Sequence, residues 1–507
     1  MIALTAAGAL RAEGPDDWRR IGRDALQAAK QIKPIATRAK NVILFVGDGM
    51  GIATVTAAGI MEGQLHGGSG EGNRLSFETF PFLALSQTYS ANQQTSDSAP
   101  TMTALVTGVK TNDGFLSVDQ RAQRDDAASV DGTRLPTILE QAKARGLAAG
   151  VVTTTRVTHA TPGATYAHTV ERDWECDADQ SQTANALDFP DIARQLIEFR
   201  VGGGIDVVFG GGRAKFTPTT DVDPEYADKK GERRDRRNLT REWLDAFTGA
   251  TYVWNQAQFD ALDPAKAQHV LGLFEPSHMH FEHDRSKDGA GEPSLAQMTA
   301  KAIAILSRNP KGFFLMVEGG RIDHAHHAAN AYRALTETIA FSDAVKTAAQ
   351  QTDVSDTLII VTADHSHTMT IGGYPKRGNP ILGKVIAAGG DGKYSKDATG
   401  LPYTTLSYAN GPGYAGASSE QEEGSKRFEH HGRGYRPDRA GRPDLTKIDT
   451  TDPDYLQESI APLASETHGA EDVAIYARGP MAHLVHGVLE QHVVYYIMSD
   501  ALGLLDK

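Results

Sequence analysis

The chain has 507 residues and a formal net charge of −13, from 64 acidic side chains against 51 lysines and arginines. That balance argues against a general nucleic-acid binder, whose footprint is a basic patch or stripe. Hydrophobic residues make up 40% and charged residues 23%, the usage of a folded chain rather than a disordered one.

The N-terminal arm, residues 1–35, is expected to be helical; its first residues, MIALTAAGALRAEG, have a short apolar run but no positive n-region. They read equally as the remnant of a signal peptide or as an ordinary end. The apolar run NVILFV at 41–46 then leads into Gly47-Asp48-Gly49-Met50-Gly51. Glycines flanking a carboxylate let backbone or ligand approach closely, although Asp-Gly is also the commonest turn dipeptide. In TSDSAPTMTALVTGVKT, residues 95–111, Met102, Leu105, Val106 and Val109 follow helical spacing. Ser98 sits where an N-cap belongs, with Pro100 in the first turn. It is either an ordinary cap or a nucleophile at a helix N-terminus, where unpaired N–H groups favour a phosphate.

Further runs apolar on both faces are AAGVVTT (148–154), DVVF (206–209), FFLMVE (313–318), TLIIVTA (357–363) and VAIYA (473–477), separated by helical patterns at 135–146 and 294–309. This predicts an α/β fold with a large, mainly parallel central sheet and helices on both faces. Residues 36–375 and 461–507 are expected to form the α/β core, with a loop-rich insertion at about 216–295 and a separate surface lobe at 376–460. The insertion carries the basic run KKGERRDRR, read as a solvated loop, and HMHFEH, whose His278, His280 and His283 are spaced to bind a stray transition metal. Cys176 is the only cysteine, so no intramolecular disulfide is possible, and no stretch reaches the length of a membrane span.

Strand 313–318 delivers Glu318 at its end, and Asp323 and His327 follow at i, i+4, on one face of a helix. Strand 357–363 delivers Asp364 and His365, and His468 stands just before the last strand. Ligands in such sheets bind beyond the carboxyl ends of the strands. A core histidine does not explain so many Asp and His residues there; with Asp48 and Glu318 they suffice for two zinc ions and one harder, oxygen-liganded ion. Two adjacent metals with a serine nearby suit in-line displacement at phosphorus.

From about Asn41 to Leu504 the chain resembles the alkaline phosphatase family in its motifs DGMG, DSAPTMTALVTGVKT, THATPGATYAHTVERDW, EGGRIDHAHHAAN, TADHSHT and ETHGAEDVAIYARGP. It is more similar to the animal enzymes than to the enterobacterial one. The resemblance implies a phosphomonoesterase with a phosphoserine on Ser98. It gives the first zinc to Asp323, His327 and His468 and the second to Asp48, Asp364 and His365. Magnesium goes to Asp48, Thr161 and Glu318, and Arg172 clamps phosphate. His159 and His324 would shape the third site. It also implies a homodimer, a crown-like role for the 376–460 lobe, and a structural calcium held by Glu225, Phe274 and Glu275, with Glu292 or Asp284 completing the set. The expected setting is periplasmic or extracellular. Rival readings are a phosphodiesterase, sulfatase or phosphomutase sharing the ligands, or a binding protein without turnover. The latter would lack the nucleophile or a ligand, and neither is missing.

Overall fold

The computed structural model describes residues 14–436 and 441–505; the first thirteen residues, with the signal-peptide question, lie outside them. In chain order the strands are β1 (Asn41–Gly47), β2 (Phe82–Gln87), β3 (Ala148–Arg156), β4 (Val207–Gly211), β5 (Thr251–Val253), β6 (Val270–Leu273), β7 (Phe313–Gly319) and β8 (Thr357–Ala363). There follow the short β9 (Ser366–His367), β10 (Met369–Ile371), β11 (Leu406–Gly411), β12 (Ser459–Pro462) and β13 (His468–Gly469), and then β14 (Val473–Arg478) and β15 (Gly487–Glu490). Ten of them form one sheet in the order β15-β2-β14-β8-β1-β7-β3-β4-β6-β5, in which β14 runs against both its neighbours.

The central strands are buried along their whole length because both faces are covered. Alternate residues of β1 divide between two cores. Val42, Leu44 and Val46 pack with Met102 and Leu105 of the helix Ser98–Thr107 and with Val494 and Met498 of the helix Val493–Ala501. Ile43 and Phe45 pack on the other side with the helices Ile52–Leu65, Leu295–Leu306 and Ala331–Gln351.

Register sets the site. β1 lies between β8 and β7 with Gly47 opposite both Ala363 and Gly319, so three strands end at one level. Asp48 and Asp364 are the next residues beyond that edge. Glu318 is level with Val46 on one side and with Thr153 of β3 on the other.

The segment 216–295 departs from the expected loop-rich insertion: it gives β5 and β6 to the sheet edge. These strands have three and four residues, too short for a periodic signal, yet β6 is wholly buried. Beyond the sheet, β10, β11 and β12 form a small sheet within and beside the 376–460 lobe, and β13 pairs with β9, placing His468 opposite His367. The N-terminal helix Pro15–Gln31 buries none of its residues, leaving Trp18 and Leu26 each 53% exposed.

Candidate active site and metal centre

The helix after Asp97 begins at Ser98, and all ten of its residues are buried. The N-cap is Asp97, which has extended backbone (φ −101°, ψ 165°) and accepts from Ala99 N at 3.3 Å. Ser98 is therefore the first helical residue and not the cap, a correction of one position. An aspartate caps as well as a serine does, and the shift leaves the serine hydroxyl free of capping. Ser98 Oγ lies 3.4 Å from Asp48 Oδ1 and 3.2 Å from His365 Nε2.

The glycines around Asp48 serve close approach. Gly49 has φ +68°, and a Cβ there would meet the His367 ring at 2.3 Å; one on Gly51 would meet Ser366 Oγ at 2.2 Å.

Three donor sets surround this serine. In one, Asp364 Oδ1 accepts from Gly49 N (3.0 Å) and His365 N (2.9 Å). Asp364 Oδ2 and Asp48 Oδ2 are buried with no hydrogen-bond partner. His365 Nε2 stands 3.4 Å from each of these two carboxylates. In the next, Glu318 Oε1 and Thr161 Oγ1 are likewise buried and unpartnered, and Glu318 Oε2 accepts from Thr153 and, at 3.1 Å, from Thr155 Oγ1. Asp48, Glu318 and His159 bring donor atoms within 4.8 Å of one another.

In the remaining set, Asp323 Oδ1 is 3.3 Å from His327 Nε2 and 3.4 Å from His468 Nε2. His327 Nδ1 donates to Glu466 O (2.6 Å) and His468 Nδ1 to Ser96 O (2.8 Å). Each ring is thereby fixed in the tautomer that turns a bare Nε2 toward the carboxylates, as metal ligands require.

Burial, then the charges of Asp364, Asp323 and Glu318, pushes the Asp48 carboxyl well above its usual range. Burial raises Asp364 as well and takes Glu318 up to about 7, while burial drives His365 well below the ordinary imidazole value. Unpartnered carboxylate oxygens beside the neutral imidazole of His365 form a donor set that fits divalent cations.

Arg172 aims its fork at this space. Its NH1 donates to both Asp97 oxygens (2.6 and 2.5 Å) and its NH2 to His159 Nε2 (2.9 Å). Burial would raise Asp97, but the Arg172 guanidinium wins and holds that carboxyl well below the usual range. His324 Nδ1 accepts from Arg321 NH1 at 2.8 Å, and its ring lies 5.6 Å from that of His159.

Sequence reasoning gave no role to Glu466. Its side chain accepts from His367 Nδ1 and from Thr368 N and Oγ1. His367 Nε2 then donates to Asp323 Oδ1 at 2.8 Å. The Glu466 backbone exchanges two hydrogen bonds with His327. One residue, two before His468, thus orients Asp323 and His327 together. The only sequence signal was its place in ETHG.

The three histidines of HMHFEH do not share a site, because the segment is a series of turns. His278 packs against His324 (4.2 Å between rings) and His283 against Tyr332 (4.9 Å). His280 joins Glu275, Asp288 and Glu292, whose donor atoms lie within 4.8 Å of one another. Glu225 meets this group through Ala290, whose N–H it accepts at 3.1 Å. Phe274 precedes Glu275, its ring packed 5.7 Å from Phe259. Asp284 lies apart from this group, paired with Arg333 and Lys287 at 2.8 and 2.7 Å.

The fold and these donor sets define a metal-binding α/β enzyme with a serine at its centre. A sequence model of the alkaline phosphatase family matches residues 39–504. The chain is 43% identical over 493 residues to the alkaline phosphatase of Gadus morhua, covering 96% of this chain and 97% of that protein. It is 42% identical to the tissue-nonspecific isozyme of Rattus norvegicus, covering 96% and 88%. The Thermus thermophilus alkaline phosphatase structure superposes with a TM-score of 0.65 at 25% identity, covering 95% of this chain and 94% of that one. The chain belongs to the alkaline phosphatase family, and it is a phosphomonoester hydrolase.

Glu466→Gln should weaken retention of a divalent ion at Asp323, His327 and His468 by about 10–100-fold, the usual cost of losing a ligand-orienting partner. Chelator competition followed by elemental analysis measures this, and unchanged retention would refute the orienting role.

A carboxyl raised on folding stabilises the folded state below its unfolded value, here 4.5 for Glu318, and loses that contribution as pH rises through about 7. Asp48 and Asp364 are raised in the same direction. Metal-stripped protein should therefore melt progressively lower between about pH 5 and pH 8, and metal-loaded protein should not. Parallel melting curves for the two forms across that range would contradict the account.

Proposed function

We propose that the chain hydrolyses phosphate monoesters through a phosphoserine on Ser98, using two zinc ions and one magnesium ion. The observation that carries this reading is the Ser98 hydroxyl within 3.4 Å of Asp48 and 3.2 Å of His365, flanked by Arg172. Asp323, His327 and His468 would hold one zinc, Asp48, Asp364 and His365 the other, and Asp48, Thr161 and Glu318 the magnesium. When bound, these ions supply the charge that lowers the serine and water pKa values and neutralises the leaving oxygen.

Ser98 Oγ attacks phosphorus in line, its P–O bond forming as the ester P–O bond breaks and the alcohol departs. Water then cleaves the phosphoserine and returns the hydroxyl with release of inorganic phosphate. The transition state is largely dissociative, so the protein's part is positioning and charge. Arg172, held by Asp97, presents its fork to two non-bridging oxygens, a geometry suited to the dianionic terminal phosphate of a monoester. His159 and His324 shape the side of the site nearest Glu318.

The reading includes a homodimer, supported by the wholly unburied helix Pro15–Gln31 with its exposed Trp18 and Leu26. It includes a structural cation beside Glu225, Glu275 and Glu292, and a crown-like role for the 376–460 lobe. It also carries a periplasmic or extracellular setting, which rests on the resemblance alone. Among the described residues no helix is long and apolar enough to cross a membrane.

Hydrolysis of p-nitrophenyl phosphate but not its bis ester at alkaline pH, abolished by EDTA, tests the activity. Ser98→Ala should remove the phosphoenzyme and most turnover while leaving zinc content nearly unchanged. Stoichiometric phosphorylation of another residue in that variant would sink the assignment. Light scattering should give twice the 54.4 kDa chain mass, and a fully active monomer would overturn the dimer.

A further inference from the structure

The expectation of calcium at the structural site rested on an all-oxygen ligand set. The chain brings two further residues there, one of them a nitrogen donor. His280 Nδ1 is buried, has no hydrogen-bond partner, and lies 3.6 Å from Glu292 Oε1 and 3.7 Å from Glu275 Oε1. Its backbone N–H donates to the same Glu292 oxygen at 2.9 Å, which holds residue 280 against the cluster. Glu292 has a fully buried side chain whose Oε2 is unpartnered, and both oxygens of Asp288 are buried and unpartnered as well.

The charge here is uncompensated. Arg213 reaches Glu225 at 3.3 Å, but the Asp223 carboxylate occupies two of its donors at 2.8 Å. Nor does the basic run answer these acids: Arg233 pairs with Asp191 and Asp235, and Arg237 with Glu198 and Glu242.

Calcium takes six to eight oxygens and has little use for an imidazole, whereas carboxylates joined by one imidazole suit the manganese-to-zinc series. We infer that Glu275, His280, Asp288 and Glu292 form a site for a divalent transition ion of the manganese or zinc type, with His280 Nδ1 as the selecting ligand. The inference rests on the structural-cation reading and changes its chemistry. It also gives Asp288 a function that its loop position did not suggest.

The test uses protein already loaded with zinc and magnesium, dialysed against equal concentrations of Mn2+ and Ca2+, with bound ions counted by elemental analysis. Ions lost in Glu275→Gln are those held at this site. The expected result is at least a tenfold preference for manganese, and a His280→Gln variant whose manganese retention falls at least tenfold while calcium changes less than twofold. Asp288→Asn, which alters only an oxygen donor, should weaken both ions alike; if the histidine variant fails to fold, the manganese preference of the parent protein decides. Calcium held as well as manganese, or a His280→Gln variant that loses both ions alike, overturns the inference and leaves the structural cation standing. No ion lost in Glu275→Gln overturns both.

Discussion

Four carboxylates, Asp48, Glu318, Asp323 and Asp364, meet at the carboxyl edge of the sheet, each at most 5% exposed. Two unit charges about 4 Å apart repel by roughly 4 kcal/mol at the effective dielectric of a protein interior. A fold does not hold four such groups together unless protons or cations offset them. The three strands ending at one level bring the groups in, and the glycines at 49 and 51 let neighbouring side chains close around them. Internal cations answer part of the charge. His367, raised to about 10 despite its burial by Glu466 and Asp323, bridges those two carboxylates, and Arg172 answers Asp97. Asp48, Asp364 and Glu318 keep unpartnered oxygens, and the site's chemistry depends on what arrives to fill them.

Much of this was legible because parallel sheets deliver function at strand ends. The buried strands β1, β7 and β8 are continuous apolar runs with a donor at or just beyond their ends, so Asp48, Glu318 and Asp364 could be read in line. Asp323 and His327 were legible through helical spacing. Other features depend on contacts that no local pattern encodes. Glu466 meets His367 across 99 residues of chain, and its importance comes from a shared hydrogen bond rather than from a motif. The edge strand β15 and its neighbour β2 are only partly buried and so lack an unbroken apolar run.

The one-residue correction at Ser98 shows how local rules can name the right element and the wrong role. Both Asp97 and Ser98 are good caps. Asp97 takes the cap because its carboxylate also answers Arg172, which ties the start of the helix to the phosphate fork. Had the serine capped, its oxygen would have been engaged by backbone N–H groups and turned from the metal ligands.

Residues 275–292 join the catalytic edge to the outlying carboxylate cluster. His278 packs against His324, whose Nδ1 accepts from Arg321, and Arg321 stacks 3.8 Å from the Phe281 ring centre. Burial lowers Arg321 to about 10, while the charges of Glu337 and Glu292 oppose that fall. The segment that supplies His280, Asp288 and Glu292 to the cluster therefore also supplies His278 and Phe281 to the wall beside His159 and His324. It has almost no regular secondary structure of its own, only the short 3-10 turn Arg285–Lys287. A loop of that kind keeps its shape through side-chain contacts at its two ends, so a cation bound by the carboxylates would fix one end and the histidine wall the other.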